Sequence, residues 1–149
     1  MLTMTIVGIS LVAITCAIHA FGSEWWMSSL LRKFAGRDGN WRSGTTARAL
    51  MSTGVALMGL HLLEVLVWAL TYLALPGEPK LKTFEEAFYF SIVTFTTLGY
   101  GDVTVGEEWR ILAGLEAANG IMMFGWTMAL IVALSHRLLF DDADDGTKG

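Results

Sequence analysis

Three stretches of this chain are long, apolar and almost free of charge, and no other feature narrows its possible folds as much. Residues 1–23 contain no Lys, Arg, Asp or Glu. Residues 49–75 carry Glu64 alone, and residues 109–140 carry only Arg110, Glu116 and Arg137. At about 1.5 Å per helical residue, the second and third stretches exceed the ~30 Å hydrocarbon thickness of a bilayer. They are too long, and alternate too little, for barrel strands. In lipid every backbone polar group must be satisfied within the structure, which leaves helices. Composition points the same way: 54% of residues are hydrophobic and 16% charged, where a soluble domain carries roughly 25% charged residues. The expected fold is an all-α membrane protein with three transmembrane helices.

The remaining composition narrows the function. A formal net charge of −4 argues against a nucleic-acid partner. A lone cysteine, Cys16, excludes an intrachain disulfide and a Cys-rich metal site. The length predicts one domain, without a separate nucleotide-, calcium- or ligand-sensing unit. Residues 1–23 read as a retained helix: nothing basic precedes the apolar run, and Ile18 stands where a cleavage site before Ala20 would need a small residue. The following segment, 24–48, sets Arg32, Lys33, Arg37, Arg42 and Arg48 against Glu24 and Asp38. The positive-inside rule places loop 22–48 and the C-terminus in the cytoplasm of a multi-pass cell-membrane protein, with the N-terminus outside. Trp26, Met27, Leu30, Leu31 and Phe34 fall on one helical side, opposite Ser28, Ser29, Arg32 and Lys33. This spacing predicts a separate amphipathic helix on the inner membrane surface, with Trp25 and Trp26 at the headgroups.

Residues 76–108 carry the chemistry. Pro76-Gly77-Glu78-Pro79 ends the second helix on the outer side. Thr83 and Glu86 form a capping-box pattern that starts a helix over 84–95, too short to cross a bilayer. It runs into Thr96-Thr97-Leu98-Gly99-Tyr100-Gly101-Asp102. A short helix and a glycine-broken loop between two spanning helices read as a re-entrant segment, tolerated at membrane depth where it lines a water-filled path.

The string TFTTLGYGD, residues 94–102, resembles the signature of potassium channels, and the surrounding helices resemble their pore domain. The resemblance covers residues 49–140: outer helix 49–75, pore helix 84–95, filter 96–102 and inner helix 109–140. Residues 1–23 then form an extra membrane helix, and 141–149 an acidic cytoplasmic tail. The resemblance implies passive, selective conduction of K+ rather than enzymatic catalysis, with no cofactor besides the permeant ion. It also implies a homotetramer in the lipid bilayer with its filter entrance outside. Thr97, Leu98, Gly99, Tyr100 and Gly101 would form the ion-binding filter, with K+ held at Thr97, Leu98, Gly99 and Tyr100. Gly99 and Gly101 would take backbone angles closed to other residues. Tyr89, Thr94, Thr96, Asp102 and Glu116 would support the filter from behind. Three positions depart from the family pattern. Leu98 stands where Val or Ile is usual, Tyr89 replaces a Trp behind Asp102, and Val93 replaces an acid found in some bacterial relatives.

Other polar residues invite roles. Glu64 and Glu116 are expected behind the filter, bonded to hydroxyls such as Ser91 or Thr94. His61 lies one turn before Glu64 and can bond to it. An intramembrane metal centre drawing on His19, His61, Glu64, Glu116 and His136 is an alternative of another class, that of a metal-dependent enzyme. Asn119, Gly120, Ile121, Phe124, Gly125 and Met128 are the expected cavity and gate residues, with Val132 and His136 nearer the inner mouth. Gly120 serves either as a hinge or as a close-packing site. His136 is either a proton sensor or an interface residue. Asp141, Asp142, Asp144 and Asp145 form either a cation-concentrating ring or a solvated end. No helix bears Arg at every third position, so a voltage sensor of the usual type is not expected. A coupled potassium transporter subunit and a weakly selective cation channel remain as rival activities.

Overall fold

The computed structural model describes residues 2–34, 46–74 and 81–145, the side chains of Phe34 and 139–145 excepted. The Pro76–Pro79 break, Arg37, Arg42 and residues 146–149 lie outside the described residues. Among the described residues four α-helices make up the fold: α1 (Leu2–Phe34), α2 (Thr46–Ala74), α3 (Phe84–Phe95) and α4 (Arg110–Asp145). A 3-10 turn over Glu107–Trp109 leads into α4, and no strand occurs among the described residues. Leu2–Lys33, Thr46–Ala74 and Glu107–Leu138 are long and apolar enough to cross a membrane.

The first helix corrects the sequence reading. Residues 24–34 are not a separate helix on the membrane surface; they continue α1 without a break. The apolar side is the one expected, but its partner is protein. Leu30 is buried against Ala49 of α2 and Leu134 and Leu138 of α4, with Trp26, Met27 and Leu31 packed around them. The Trp26 indole N–H donates to Thr53 Oγ1 at 3.1 Å. Nothing at the expected boundary stops the helix. Gly22 sits under Leu60 of α2, and the Ser23 hydroxyl donates to the Ala20 carbonyl at 3.1 Å. The inner end departs too, because α4 runs through Asp141–Asp145 as helix.

Lipid tails are as apolar as leucine, so helix association here rests on close packing and cross-helix hydrogen bonds. Small residues permit the approach: Gly8 of α1 lies against Leu112 and Leu115 of α4. α1 packs on both α2 and α4, while α3 wedges between α2 and α4. Thr83 N-caps α3, its Oγ1 accepting the Glu86 N–H at 3.1 Å, and Glu86 Oε2 accepts back from the Thr83 N–H. Phe90 of α3 meets the ring of Tyr72 edge-on at 5.2 Å, and Trp109 is fully buried beside them. This wedge holds the C-terminal end of α3, where the loop of interest begins.

Candidate functional site

The loop after α3 is built by the helix's own spare carbonyls. The last turn of a helix leaves carbonyls without intrahelical partners, and here the loop's amides take them. Thr97 N–H donates to the Thr94 carbonyl at 2.9 Å; Leu98 and Gly99 both donate to Val93 O, at 2.9 and 3.2 Å. The Thr96 hydroxyl turns back to the Ile92 carbonyl at 2.7 Å. The amides of Thr97–Gly99 thus point inward, while no hydrogen bond among the described residues ends on the carbonyls of Thr97, Leu98, Gly99 or Tyr100.

The backbone alternates in hand. Thr97, Gly99 and Gly101 have φ of 60°, 57° and 79°, and Leu98 and Tyr100 stay on the negative side. In a uniform extended chain successive carbonyls point to opposite sides; inverting every second residue turns them to one side. Glycine supplies two of these inversions. Thr97 supplies a third that sequence reasoning missed, and a β-branched residue held there costs about 1–2 kcal/mol. Such strain concentrates at functional sites.

Two hydrogen-bonded pairs lie near this ribbon and α3. Tyr89 OH donates to Asp102 Oδ2 at 2.7 Å. That bond holds the Asp102 carboxyl below its ordinary range and raises the Tyr89 hydroxyl above its own. Glu116 is fully buried behind α3, where its Oε2 accepts from Tyr72 OH at 2.8 Å and its side chain adjoins Ser91. Tyr72 is a partner of Glu116 that sequence reasoning missed. Thr94 is half-buried and contributes its carbonyl to Thr97.

The residues expected at the cavity and gate divide. Ile121, Gly125 and Met128 are exposed on α4, as is Val132. Asn119 is not among them: it is buried and donates from Nδ2 to Thr15 Oγ1 of α1 at 2.8 Å. Phe124 turns inward too, 4.6 Å from the His61 ring and 5.9 Å from that of Phe95. Gly120 is buried against the Phe95 backbone so closely that an added Cβ would overlap the Phe95 carbonyl oxygen. Close packing explains this glycine, and α4 runs through it as unbroken helix.

Glu64 also corrects the sequence reading. Among the described residues it bonds to no hydroxyl of α3 and instead meets His19 Nδ1 at 2.8 Å and His61 Nδ1 at 3.1 Å. Thr127 closes the group on the far side of both rings. Of the residues considered for a metal centre, His19, His61 and Glu64 come together, whereas Glu116 and His136 are not part of that group. His19 and Thr127 lie 45 and 63 positions from Glu64 in sequence, so no local pattern announces them.

Comparison with known proteins places this geometry in context. A family model described as an ion channel matches residues 60–135. The voltage-gated potassium channel Kch of Escherichia coli is 38% identical over 61 residues, covering 40% of this chain and 15% of the relative. The inward rectifier potassium channel Kirbac3.1 of Paramagnetospirillum magnetotacticum is 33% identical over 85 residues, 54% of this chain and 29% of the relative. The human potassium voltage-gated channel subfamily A member 4 is 32% identical over 96 residues, 60% of this chain and 14% of the relative. The chain therefore spans less than a third of the length of these relatives. No solved structure gives a significant match.

Proposed function

This chain belongs to the ion channel family, of the potassium-channel pore type, and we propose from that premise that four copies of it surround one axis and conduct K+ passively. It is a multi-pass membrane protein. The observation that carries the proposal is the ribbon Thr97–Gly101, with amides tied inward, alternating backbone hand and carbonyls free of other partners. An ion entering the pore must exchange its hydration oxygens for others at little net cost. Four such ribbons would offer stacked rings of main-chain oxygens from Thr97, Leu98, Gly99 and Tyr100, with the Thr97 hydroxyl below them. The carbonyl end of α3 carries partial negative charge, which favours a cation nearby.

One chain supplies one ribbon, so a closed ring requires rotational symmetry, and a homotetramer provides it. Exposure supports this assembly: in a single chain Leu98 is 55% and Tyr100 67% exposed, an arrangement suited to burial against neighbouring copies. Ile121, Gly125, Met128 and Val132 recur at helical spacing along one exposed face of α4, which suits the wall of an inner cavity. The relatives' names as potassium channels support the choice of ion. The positive charge of segment 22–48 supports a cytoplasmic position for that loop and the C-terminus, with the N-terminus and Asp102 outside. In this reading the protein performs no covalent chemistry; it lowers the cost of dehydration.

Reconstitution of the full chain into liposomes tests the proposal. A potassium gradient should drive ion flux that barium blocks and that a sodium gradient does not reproduce. Equal potassium and sodium fluxes would replace it with a weakly selective cation channel. Flux that disappears with the proton or sodium gradient would replace it with coupled transport.

A further inference from the structure

A second constellation lies apart from the filter, where α1, α2 and α4 meet. His19 and Glu64 are fully buried, and His61 is 4% exposed. The two imidazoles stack with centroids 5.3 Å apart and planes 26° apart. Their Nδ1 atoms meet the two oxygens of one carboxylate at 2.8 and 3.1 Å. Their Nε2 atoms share the single hydroxyl of Thr127, at 3.4 Å for His19 and 2.9 Å for His61. One ligating atom from each of His19, His61 and Glu64 lies within 4.8 Å of the others.

Counting hydrogens limits what holds this group together. Two Nδ1–H donations satisfy the carboxylate. Thr127 has one hydrogen; donated to His61 Nε2 at 2.9 Å, it leaves His19 Nε2, 3.4 Å away, with a poor partner inside a membrane span. A divalent metal satisfies the same geometry with neutral rings. It replaces the two Nδ1 hydrogens, and both Nε2–H groups donate to the two lone pairs of the Thr127 oxygen. A partner on the second nitrogen is how metal-bound imidazoles are usually oriented.

We propose that His19 Nδ1, His61 Nδ1 and the Glu64 carboxylate bind one divalent transition-metal ion of the zinc class per chain, with Thr127 orienting both rings. Two imidazoles and a carboxylate suit borderline cations such as Zn2+; K+, Mg2+ and Ca2+ favour sites built of oxygen alone. Bonds of about 2.0–2.1 Å in a tetrahedron set ligand atoms roughly 3.3 Å apart. The two N···O separations, 2.8 and 3.1 Å, lie within about half an ångström of that spacing. The ion would tie α1 to α2 and, through Thr127, to α4. The His61 ring also lies 6.1 Å from that of Phe95, the last residue of α3, so the clamp stands beside the base of the filter.

The test counts metal and needs no flux, so its outcome is separate from that of the conduction proposal. The full chain is produced in zinc-supplied medium, purified in detergent without chelator, and analysed by mass spectrometry and zinc-edge X-ray absorption. The expected result is about one zinc per chain, with nitrogen and oxygen scatterers near 2.0–2.1 Å. Glu64→Gln and the double variant His19→Gln/His61→Gln should hold at least tenfold less, and Thr127→Ala should bind 10- to 100-fold more weakly. Wild-type protein without zinc overturns the proposal, as does equal zinc in the double variant or a sulfur scatterer around the ion. The absorption measurement on the wild type decides the matter even where a variant fails to fold.

Discussion

Substituting alanine at Gly120 should damage the pore by displacing the end of α3. A Cβ built at Gly120 lies 2.8 Å from the Phe95 carbonyl carbon and 3.2 Å from its Cα, and it overlaps the carbonyl oxygen outright. These are backbone atoms, so no side-chain rotation relieves the clash; either α4 withdraws or the filter's foundation moves. Overpacking of this kind costs about 1–3 kcal/mol, and a backbone neighbour places it at the upper end. Alanine regains about 1 kcal/mol over glycine in helix propensity. The balance is a loss of roughly 2 kcal/mol per chain, repeated in each copy of the assembly. The assay pairs thermal retention of the oligomer, read by gel filtration, with potassium flux in liposomes. Gly120→Ala should lower the retention midpoint and cut flux at least tenfold. Gly125→Ala, where an added Cβ meets nothing within 4 Å, should hold or raise the midpoint through the same helix propensity. Wild-type midpoint and flux in Gly120→Ala would refute the packing argument.

Other substitutions probe the remaining contacts. Tyr89→Phe removes the donor to Asp102 and should speed current decay under sustained potential; unchanged decay would count against the brace. Because the Tyr89 bond holds the Asp102 carboxyl below the ordinary carboxylate range, the brace is intact at and above that range and is lost only as pH falls below it. Acidification from about pH 8 to 5 should therefore not alter decay through this residue, a point checked by recording across that range. Gly99→Ala places a side chain at φ 57° in open space, a cost of about 1–2 kcal/mol in backbone strain alone; it should abolish most flux while the oligomer still forms. Tyr72→Phe leaves Glu116 buried without its donor and should cost about 1–3 kcal/mol in thermal or denaturant unfolding. The double change Tyr72→Phe/Glu116→Leu should cost less than the two single losses combined, and strict additivity would deny the pair its coupling.

What the sequence disclosed follows from how far each signal reaches along the chain. Long apolar runs announce spanning helices because lipid forbids other backbones, and the Thr83–Glu86 cap is a pattern four residues long. The glycines at 99 and 101 were legible because their freedom is intrinsic to the residue. Thr97 was not, since no local rule places a β-branched residue at positive φ; the tie of Leu98 and Gly99 amides to Val93 O holds it there. The end of α1 was misread because an apolar helical face looks the same whether lipid or α4 covers it. Asn119 and Phe124 were assigned to the cavity by distance from the filter, but a turn of helix has more than one side, and theirs face Thr15 and His61. The His19–His61–Glu64 group joins residues from two helices around a hydroxyl of a third, a juxtaposition that only tertiary packing creates.

The central claim is that main-chain oxygens of residues 97–100 from four chains replace an ion's water. Crystals grown with thallium in place of potassium address it directly, because thallium scatters anomalously. A column of anomalous peaks is expected on a fourfold axis, level with the Thr97, Leu98, Gly99 and Tyr100 carbonyls. Peaks absent from that axis, or an assembly without fourfold symmetry, would contradict it.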